Sequence, residues 1–385
     1  DINKRRDEAV APLLTTDAAA IINDPDIDIV VEVIGGEYPA KDYIVQALQA
    51  GKHVVTANKD VIAKHGKELF AVAAANRRDL LFEGSVGGGI PIIRPLKQCL
   101  AANNITKVMG IVNGTTNYML TRMTKERMEF AEALAQAQAL GYAEADPSSD
   151  VGGLDAARKL AILASIAFNS RVSLDDVYIE GIEKVSLRDI EYAHELGYVI
   201  KLLAIAKHDH NGISVRVHPA FIPATHPLAS VNDVYNAIYI QGDAVGETMF
   251  YGQGAGKLPT ASAVVGDIID VARDIQHNVS SRILCTCYNE IPICSIDQVE
   301  SPYYIRLIVE DKPGVLAAIA GAFGAQQVSL HSVIQKRRIG KNSEIVLITY
   351  RVADASLRLA INTLAGMSVV CAIRSIIRVE AEDID

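Results

Sequence analysis

Between Ile27 and Glu83 short apolar runs alternate with stretches of helix length. The pattern predicts strands over Ile27–Ile34, His53–Thr56 and Leu80–Glu83, with helices over Ala40–Ala50 and Val61–Asn76 between them. Strands joined by helices of this length form right-handed β-α-β units, so the segment builds a parallel sheet. Ligands of such sheets sit beyond the carboxyl ends of the strands. Gly35-Gly36, Asn58-Lys59 and Gly84-Ser85 all fall there, and topology alone gathers them on one rim.

A dinucleotide-binding half of this class opens with a strand, a Gly-x-Gly-x-x-Gly turn and a helix whose N-terminus receives the pyrophosphate. The sequence has no such opening. It starts at Asp1-Ile2-Asn3-Lys4-Arg5-Arg6, which reads as the tail of a second strand, where an acidic residue would meet the adenosine ribose and Arg5 and Arg6 hint at a phosphate. The expected fold class is α/β: a Rossmann-like parallel sheet lacking its first β-α-β turn, followed by an α+β domain and a smaller C-terminal one.

Downstream, Thr106–Val112 reads as a strand and Thr116–Met123 and Glu126–Leu140 as helices. Residues 173–250 read as short strands mixed with helices, Ser214–Pro219 and Thr248–Gly252 among them, and Leu258–Arg273 as a helix with Pro259 near its first turn. Asp297–Ser301 looks like a linker. Beyond it Tyr303–Glu310, Val328–Lys336, Glu344–Arg351 and Ser375–Val379 read as strands and Gly314–Gly324 and Ala355–Leu364 as helices. That is a ferredoxin-like β-α-β-β-α-β order of roughly 80 residues. With its first turn, Asp311-Lys312-Pro313-Gly314-Val315-Leu316, it resembles the ACT domain, a module that commonly senses amino acids. The resemblance implies that backbone N–H groups around Asp311, Gly314, Val315 and Leu316 hold an effector carboxylate.

Composition narrows the partners. A net charge of −9, with no basic run beyond pairs such as Arg77-Arg78, argues against nucleic acid and anionic membrane. No apolar run approaches the ~18 residues of a membrane span and the N-terminus is charged, so the expected location is cytoplasmic. With 385 residues, 50% of them hydrophobic, several cores are expected. The five cysteines, Cys99, Cys285, Cys287, Cys294 and Cys371, form no Cys-x-x-Cys site. Cys285-x-Cys287 with Cys294 lacks a histidine pair at metal-ligand spacing, so the thiols read as reduced and structural.

The chemistry concentrates between Gly141 and Lys159, where Glu144, Asp146, Asp150 and Asp155 precede a lysine. The first three lie in a Pro/Ser/Gly context. Asp155 and Lys159, four residues apart, share a helical face that continues into the apolar run Leu160–Phe168. Alone, that pair is an ordinary i,i+4 salt bridge on a capped surface helix. The carboxylates around it suit an amino-acid substrate, whose ammonium group must be met by oxygens when buried. Asn113-Gly114-Thr115-Thr116 follows a strand and opens a helix, as a plain cap or as N–H donors for a substrate carboxylate. Lys59 is either a solvated strand-end lysine or, with Lys159, a proton-transfer candidate, since a desolvated lysine or one beside another cation releases its proton more readily. Gly252-x-Gly254-x-Gly256 imitates a phosphate loop without the strand-turn context of one. His194, His208, His210, His218 and His226 have no convincing partner in the sequence and read as satisfied or solvated.

The string Gly141–Lys159 closely resembles the substrate segment of the homoserine dehydrogenases, which interconvert aspartate semialdehyde and homoserine with NAD or NADP. Val54-Val55-Thr56-Ala57-Asn58-Lys59 resembles that family's strand-end lysine motif, and Glu83-Gly84-Ser85-Val86-Gly87-Gly88-Gly89-Ile90-Pro91 its cation-binding loop. The likeness runs from the first residue to about Ala272, with the ACT-like module beyond. It implies that Lys159 transfers the proton and that Lys59 lies near nicotinamide and substrate. It implies substrate binding by Glu144, Asp150, Asp155, Gly114 and Thr115, and cofactor binding by Asn58, Lys59, Gly141 and Gly256. A monovalent cation, sodium in the family, would sit on Glu83 and the carbonyls of Val86, Gly88 and Ile90. A glycine turn that lets backbone approach the cofactor is the alternative reading of that loop.

The same resemblance implies a nucleotide-binding domain over residues 1–105 plus 252–275, with the helix after Leu258 folded back on the sheet. A substrate-binding and dimerisation domain over 106–251, a linker over 276–300 and the regulatory domain over 301–385 would follow. The expected activity is NAD(P)-dependent homoserine dehydrogenation in threonine and methionine biosynthesis by a homodimer or homotetramer, with feedback by an amino acid, threonine. Against the family pattern the first β-α-β turn is missing from this sequence. A catalytically silent amino-acid-sensing oligomer is therefore the alternative.

Overall fold

The computed structural model describes residue 7 and residues 9–280, 282–283, 285–381 and 384; the reading of Asp1–Arg6 as a strand tail lies outside them. Ile29–Glu32, His53–Thr56 and Leu80–Leu81 form a parallel sheet in that order, with Ile29 opposite His53 and Val54 opposite Leu80. The helices Ala40–Gln49 and Lys59–Ala75 are its crossovers, and Asn58 starts the second by accepting the Val61 N–H on Oδ1 at 3.2 Å. The first strand stops at Glu32, short of its apolar run: Val33 and Ile34 stay exposed, and Gly35 and Gly36 follow with positive φ. The helix Lys257–Gln276 returns to this sheet, packing Val264 and Val271 with Val55.

The middle of the chain departs from the short strands expected of it. Tyr198–Asp209 and Gly212–Pro223 are twelve-residue strands that pair as one antiparallel hairpin. Ile105–Ile111, Tyr235–Gly242 and Gly246–Gln253 extend the sheet on one side. The helix Leu154–Ala167 covers one face of the hairpin, and Leu228 and Val231 cover Leu203, Ile205, Ala220 and Ile222 on the other. A strand buried on both faces shows no alternation of apolar and polar residues, which is why periodicity cut these strands short.

The C-terminal unit has the expected element order: Tyr303–Glu310, helix Val315–Ala325, Leu330–Ile339, Asn342–Thr349, helix Asp354–Ala365 and Val370–Val379. Its four long strands are antiparallel, and the last runs parallel to Gly212–Pro223 through the pairs Arg378–Ala220 and Val379–Phe221. One ten-stranded sheet therefore passes through both units. The stretch read as a linker is fastened as well: Asn289 and Ile293 bridge to Ser170 and Ile213, and Glu300–Ser301 pairs with Val352–Ala353. No helix among the described residues is long and apolar enough to cross a membrane.

Side chains lock the two units where the sheet joins. Arg306 bonds Asp189 at 2.8 Å, Glu344 at 3.2 Å and the Ser186 hydroxyl at 3.0 Å. Ser375 and Tyr304 donate to the two oxygens of Asp189 at 2.7 and 3.1 Å, and Tyr192 donates to Glu344 at 2.7 Å. Removing the cation that binds Asp189 strands that carboxylate in the interior, while Glu344 keeps Arg188 at 3.9 Å. Arg306→Ala is expected to lower unfolding stability in urea by about 3–5 kcal/mol; a loss below about 1 kcal/mol, the level of an exposed pair, would show that the seam is solvated.

Candidate active site

Three segments from distant parts of the sequence meet at one carboxylate. The strand Ile105–Ile111 leads into Asn113, which caps the helix Gly114–Glu126 by accepting the Thr116 N–H at 2.9 Å. The Asn113 amide nitrogen donates to Asp150 Oδ1 at 2.7 Å and to Asp155 Oδ2 at 2.9 Å. Lys159, one turn along from Asp155, donates to Asp155 Oδ2 at 2.7 Å and to the Val112 carbonyl at 2.8 Å. Lys59, at the start of its helix beyond the second parallel strand, reaches Asp155 Oδ1 at 3.1 Å.

Burial would push the Asp155 carboxyl up, but the charges of Lys159 and Lys59 and the hydrogen bonds from Lys159 and Asn113 hold it well below the usual carboxylate range. Asp150 moves the other way. Burial raises it, the Asn113 hydrogen bond opposes this only in part, and the Asp155 charge adds to the rise. The site thus pairs a firmly ionised carboxylate with one that holds its proton more readily.

Other residues expected here are placed differently. Glu144 is exposed, and among the described residues its carbonyl accepts from Gln138 Nε2 at 3.1 Å. The Thr115 hydroxyl donates to the Tyr142 carbonyl at 2.6 Å, tying the helix start to the loop after Gly141, which itself ends the helix Phe130–Ala139. Gly114 lies under the Val234 carbonyl, 2.9 Å from where a Cβ would stand. Gly256 precedes the helix Lys257–Gln276.

The Glu83 carboxylate accepts three main-chain N–H groups, those of Ile92, Ile93 and Arg94, at 2.6, 2.8 and 2.8 Å. It is therefore spent on the backbone that leads into the short helical segment Pro95–Cys99. The carbonyls of Val86, Gly88 and Ile90 accept no hydrogen bond among the described residues. A Cβ on Gly88 would stand 2.6 Å from the Gly254 carbonyl, and Gly89 N–H donates to Gln253 O at 2.9 Å, so this loop and the Gly252–Gly256 segment pack backbone on backbone.

The rim has the character a dinucleotide needs. Val33 and Ile34 are 63% and 58% exposed, and among the described residues a Cβ on Gly35 or Gly36 would meet nothing within 4 Å. Asn58 fastens the rim by donating to Gly36 O at 2.8 Å. Glu32 escaped the sequence reading. Buried at the strand end, it accepts the Thr56 hydroxyl at 2.6 Å and the Ile34 N–H at 2.7 Å. An acidic residue closing an apolar strand was its signal. Asp267 left none, since its partners Glu83 N–H (2.8 Å) and Arg94 (2.7 Å) lie far away in the chain. His218, read as satisfied or solvated, is buried with both ring nitrogens engaged, by Arg216 at 3.2 Å and by Pro219 O at 2.9 Å.

Known families match three successive parts of the chain. The family described as homoserine dehydrogenase, NAD binding domain, matches residues 2–83, homoserine dehydrogenase matches residues 91–269, and the ACT domain matches residues 303–366. The homoserine dehydrogenase of a Synechocystis strain is 47% identical over 388 residues, covering 98% of this chain and 90% of that relative. The crystal structure of a homoserine dehydrogenase from Thiobacillus denitrificans superposes with a TM-score of 0.91 at 42% identity, over 95% of this chain and 85% of that one. A hyperthermophilic archaeal homoserine dehydrogenase, solved in complex with NADPH, matches with a TM-score of 0.60 at 30% identity, over 68% of this chain and 76% of that one.

Asp267 offers a test of how the returning helix is held. Burial raises its pKa to about 6, outweighing the Glu83 N–H and Arg94. The unfolded carboxyl titrates near 4, so the native state binds the proton more tightly; the stability this contributes is complete below about pH 4 and is lost as pH rises through about 6. Asp267→Asn is expected to flatten the decline in melting temperature across that window, and an unchanged slope would refute the assignment.

Proposed function

The chain belongs to the homoserine dehydrogenase family, and we propose that the cluster of Lys59, Asn113, Asp150, Asp155 and Lys159 is where it handles its substrate. The reaction is the NAD(P)-dependent interconversion of L-homoserine and L-aspartate 4-semialdehyde. NAD or NADP, when bound, supplies the hydride acceptor or donor, and the rim residues Gly35, Gly36, Asn58 and Lys59, with Gly141 and Gly256, are the ones that would hold it.

Lys159 moves the proton. Held between the Val112 carbonyl and Asp155, its Nζ takes the proton of the homoserine hydroxyl and returns it to the alkoxide in the reducing direction. Lys59 approaches the same carboxylate from the nucleotide-binding side and sets a positive charge beside the developing alkoxide. Asp155 aims both lysines and has little charge left for a third cation. Asp150, bonded to Asn113 through one oxygen, meets the substrate ammonium, with Glu144 as a second carboxylate. The N–H groups of Gly114 and Thr115 at the helix start receive the substrate carboxylate.

The remaining assignments rest on family likeness combined with local geometry. A sodium ion suits the main-chain oxygens of Val86, Gly88 and Ile90. Glu83 would join them through its own carbonyl, because its carboxylate already takes three N–H groups. Residues 1–105 with 252–275 form the nucleotide-binding domain, 106–251 the substrate-binding and dimerisation domain, 276–300 the connection and 301–385 the regulatory domain of a cytoplasmic homodimer or homotetramer. Threonine is the effector, bound at the turn where Asp311 pairs with Arg338 at 3.1 Å and Leu316 stands exposed. Feedback then requires that threonine bind the active and inactive states with different affinities.

The observation that carries this reading is the convergence of two lysines on one buried carboxylate; a catalytically silent sensor has no use for it. Absorbance of the reduced nicotinamide, followed with homoserine and either cofactor, should report turnover that added threonine suppresses. Lys159→Ala is expected to lower turnover by ~10²-fold or more in protein that still folds, with its melting temperature lowered because Asp155 loses a partner. Retention of more than about a tenth of the activity would exclude Lys159 from proton transfer.

A further inference from the structure

Behind the lysine–carboxylate cluster, between the helices that carry Lys59 and Lys159, lies a narrow open cleft with a cavity volume of about 20 Å³. Ile62 and Ala63 of the first helix and Ile162 and Ser165 of the second form its walls, and Cys285 and Cys287 enter from the segment that follows the returning helix. The Cys287 thiol points at the Ser165 carbonyl, 3.6 Å away, and Arg171 Nη2 lies 3.7 Å from the Cys285 sulfur. Arg171 is pressed against the Lys59 helix, where a Cβ on Gly66 would stand 3.1 Å from its Nη1, and its buried Nε has no acceptor among the described residues. Lys97 closes another side, its ammonium 5.2 Å from the ring centres of both Phe70 and Phe82. The lining holds two cations and no carboxylate.

We propose that Cys285 and Cys287 form a redox-active thiol pair that hydroperoxides oxidise to a disulfide, with Cys285 as the attacking sulfur and Cys287 as the resolving one. The Cys285 thiolate attacks one oxygen of the peroxide, the O–O bond breaks, and the leaving oxygen departs as water or alcohol after taking a proton. Cys285 is then a sulfenic acid. The Cys287 sulfur attacks it, the S–S bond forms, and the sulfenic hydroxyl leaves as water with the Cys287 proton. Two thiols lose two electrons in all and one peroxide is reduced; a thiol reductant reverses the change by exchange.

The surroundings divide the two roles. The neighbouring Cys287, with Arg171 and Lys97, outweighs burial and holds the Cys285 thiol below the ordinary thiol range, while Cys287 is pushed up by its neighbour and by burial. The guanidinium of Arg171 beside Cys285 favours the thiolate on that sulfur and not on its neighbour. Metal binding does not account for the pair: no group of three or more His, Cys, Asp or Glu suited to an ion occurs among the described residues, and Cys294 is turned to the Asn211 carbonyl at 3.1 Å. Drawing Cys287 away from Ser165 and Cys285 away from Arg171 disturbs a wall shared by both lysine-bearing helices, so the disulfide lowers turnover.

The test treats the full chain with hydrogen peroxide, caps remaining thiols and maps the peptides by mass. The expected result is a Cys285–Cys287 disulfide, absent in Cys285→Ser and replaced by a dimedone-trapped sulfenic acid at Cys285 in Cys287→Ser. It should be accompanied by a loss of turnover that dithiothreitol restores and that Cys285→Ser does not show. A second readout needs no substitution: below pH 7, Cys285 of the unaltered protein should react with iodoacetamide at least about tenfold faster than the exposed Cys99 and Cys371. Reaction at the pace of those two thiols, or the absence of the dimedone adduct, would overturn the pair as a redox site, and a disulfide that leaves turnover unchanged would overturn its link to the lysine helices.

Discussion

An ionised carboxylate taken out of water must be surrounded by positive charge and N–H donors, and Asp155 imposes that condition on the whole molecule. Its partners come from the end of the second parallel strand, from the cap that follows the strand Ile105–Ile111, and from the next turn of its own helix. No single element provides them. The parallel sheet, the antiparallel sheet and the helix between them must therefore be assembled before the site exists. With one partner removed the charge would be left uncompensated, which penalises every arrangement except the native one.

A second condition falls on the nucleotide-binding side. The rim there is made of short strands, exposed apolar residues and glycines, with little of its own to hold it in shape. What fixes it comes from elsewhere in the chain: the helix Lys257–Gln276 behind the sheet, Asp267 on the Glu83 N–H, and the Gly252–Gly256 segment against the loop at Gly88. The Glu83 carboxylate then sets the direction of the helix that follows. These contacts join residues far apart in the chain, Asp267 and Glu83 by 184 positions, and they hold the rim in place.

How much of this the sequence disclosed follows from whether each signal was local. The β-α-β alternation after Ile27, the motif ending in Lys59, the i,i+4 pair Asp155–Lys159 and the C-terminal element order are written in neighbouring residues, and the structure has each of them. The two long central strands were not legible as such, because burial on both faces removes the alternation that marks a strand. Glu83 was legible as a residue of importance and not as an acceptor of backbone N–H groups, since its three donors come nine to eleven residues later in an unremarkable apolar stretch. Asp267 and the Arg306–Asp189 bond could be found only after folding, being contacts between chain segments with no shared pattern. Glu144 is a different case: the motif that singled it out is local, and its side chain lies exposed.

The junction at Arg378–Ala220 and Val379–Phe221 has a bearing on how such modules are gained and lost. A regulatory domain hung on a tether can be cut away and leave its neighbour intact. Here the last strand of the module is hydrogen-bonded to the edge of the central hairpin, and the carboxylate of Asp189 on the catalytic side is neutralised by an arginine of the module. Cutting at the start of the module would bare an apolar strand edge and a buried acid together, which invites aggregation as well as loss of control. A shorter relative of this enzyme would have to carry compensating changes on the Gly212–Pro223 strand and at position 189 before it could dispense with its sensor.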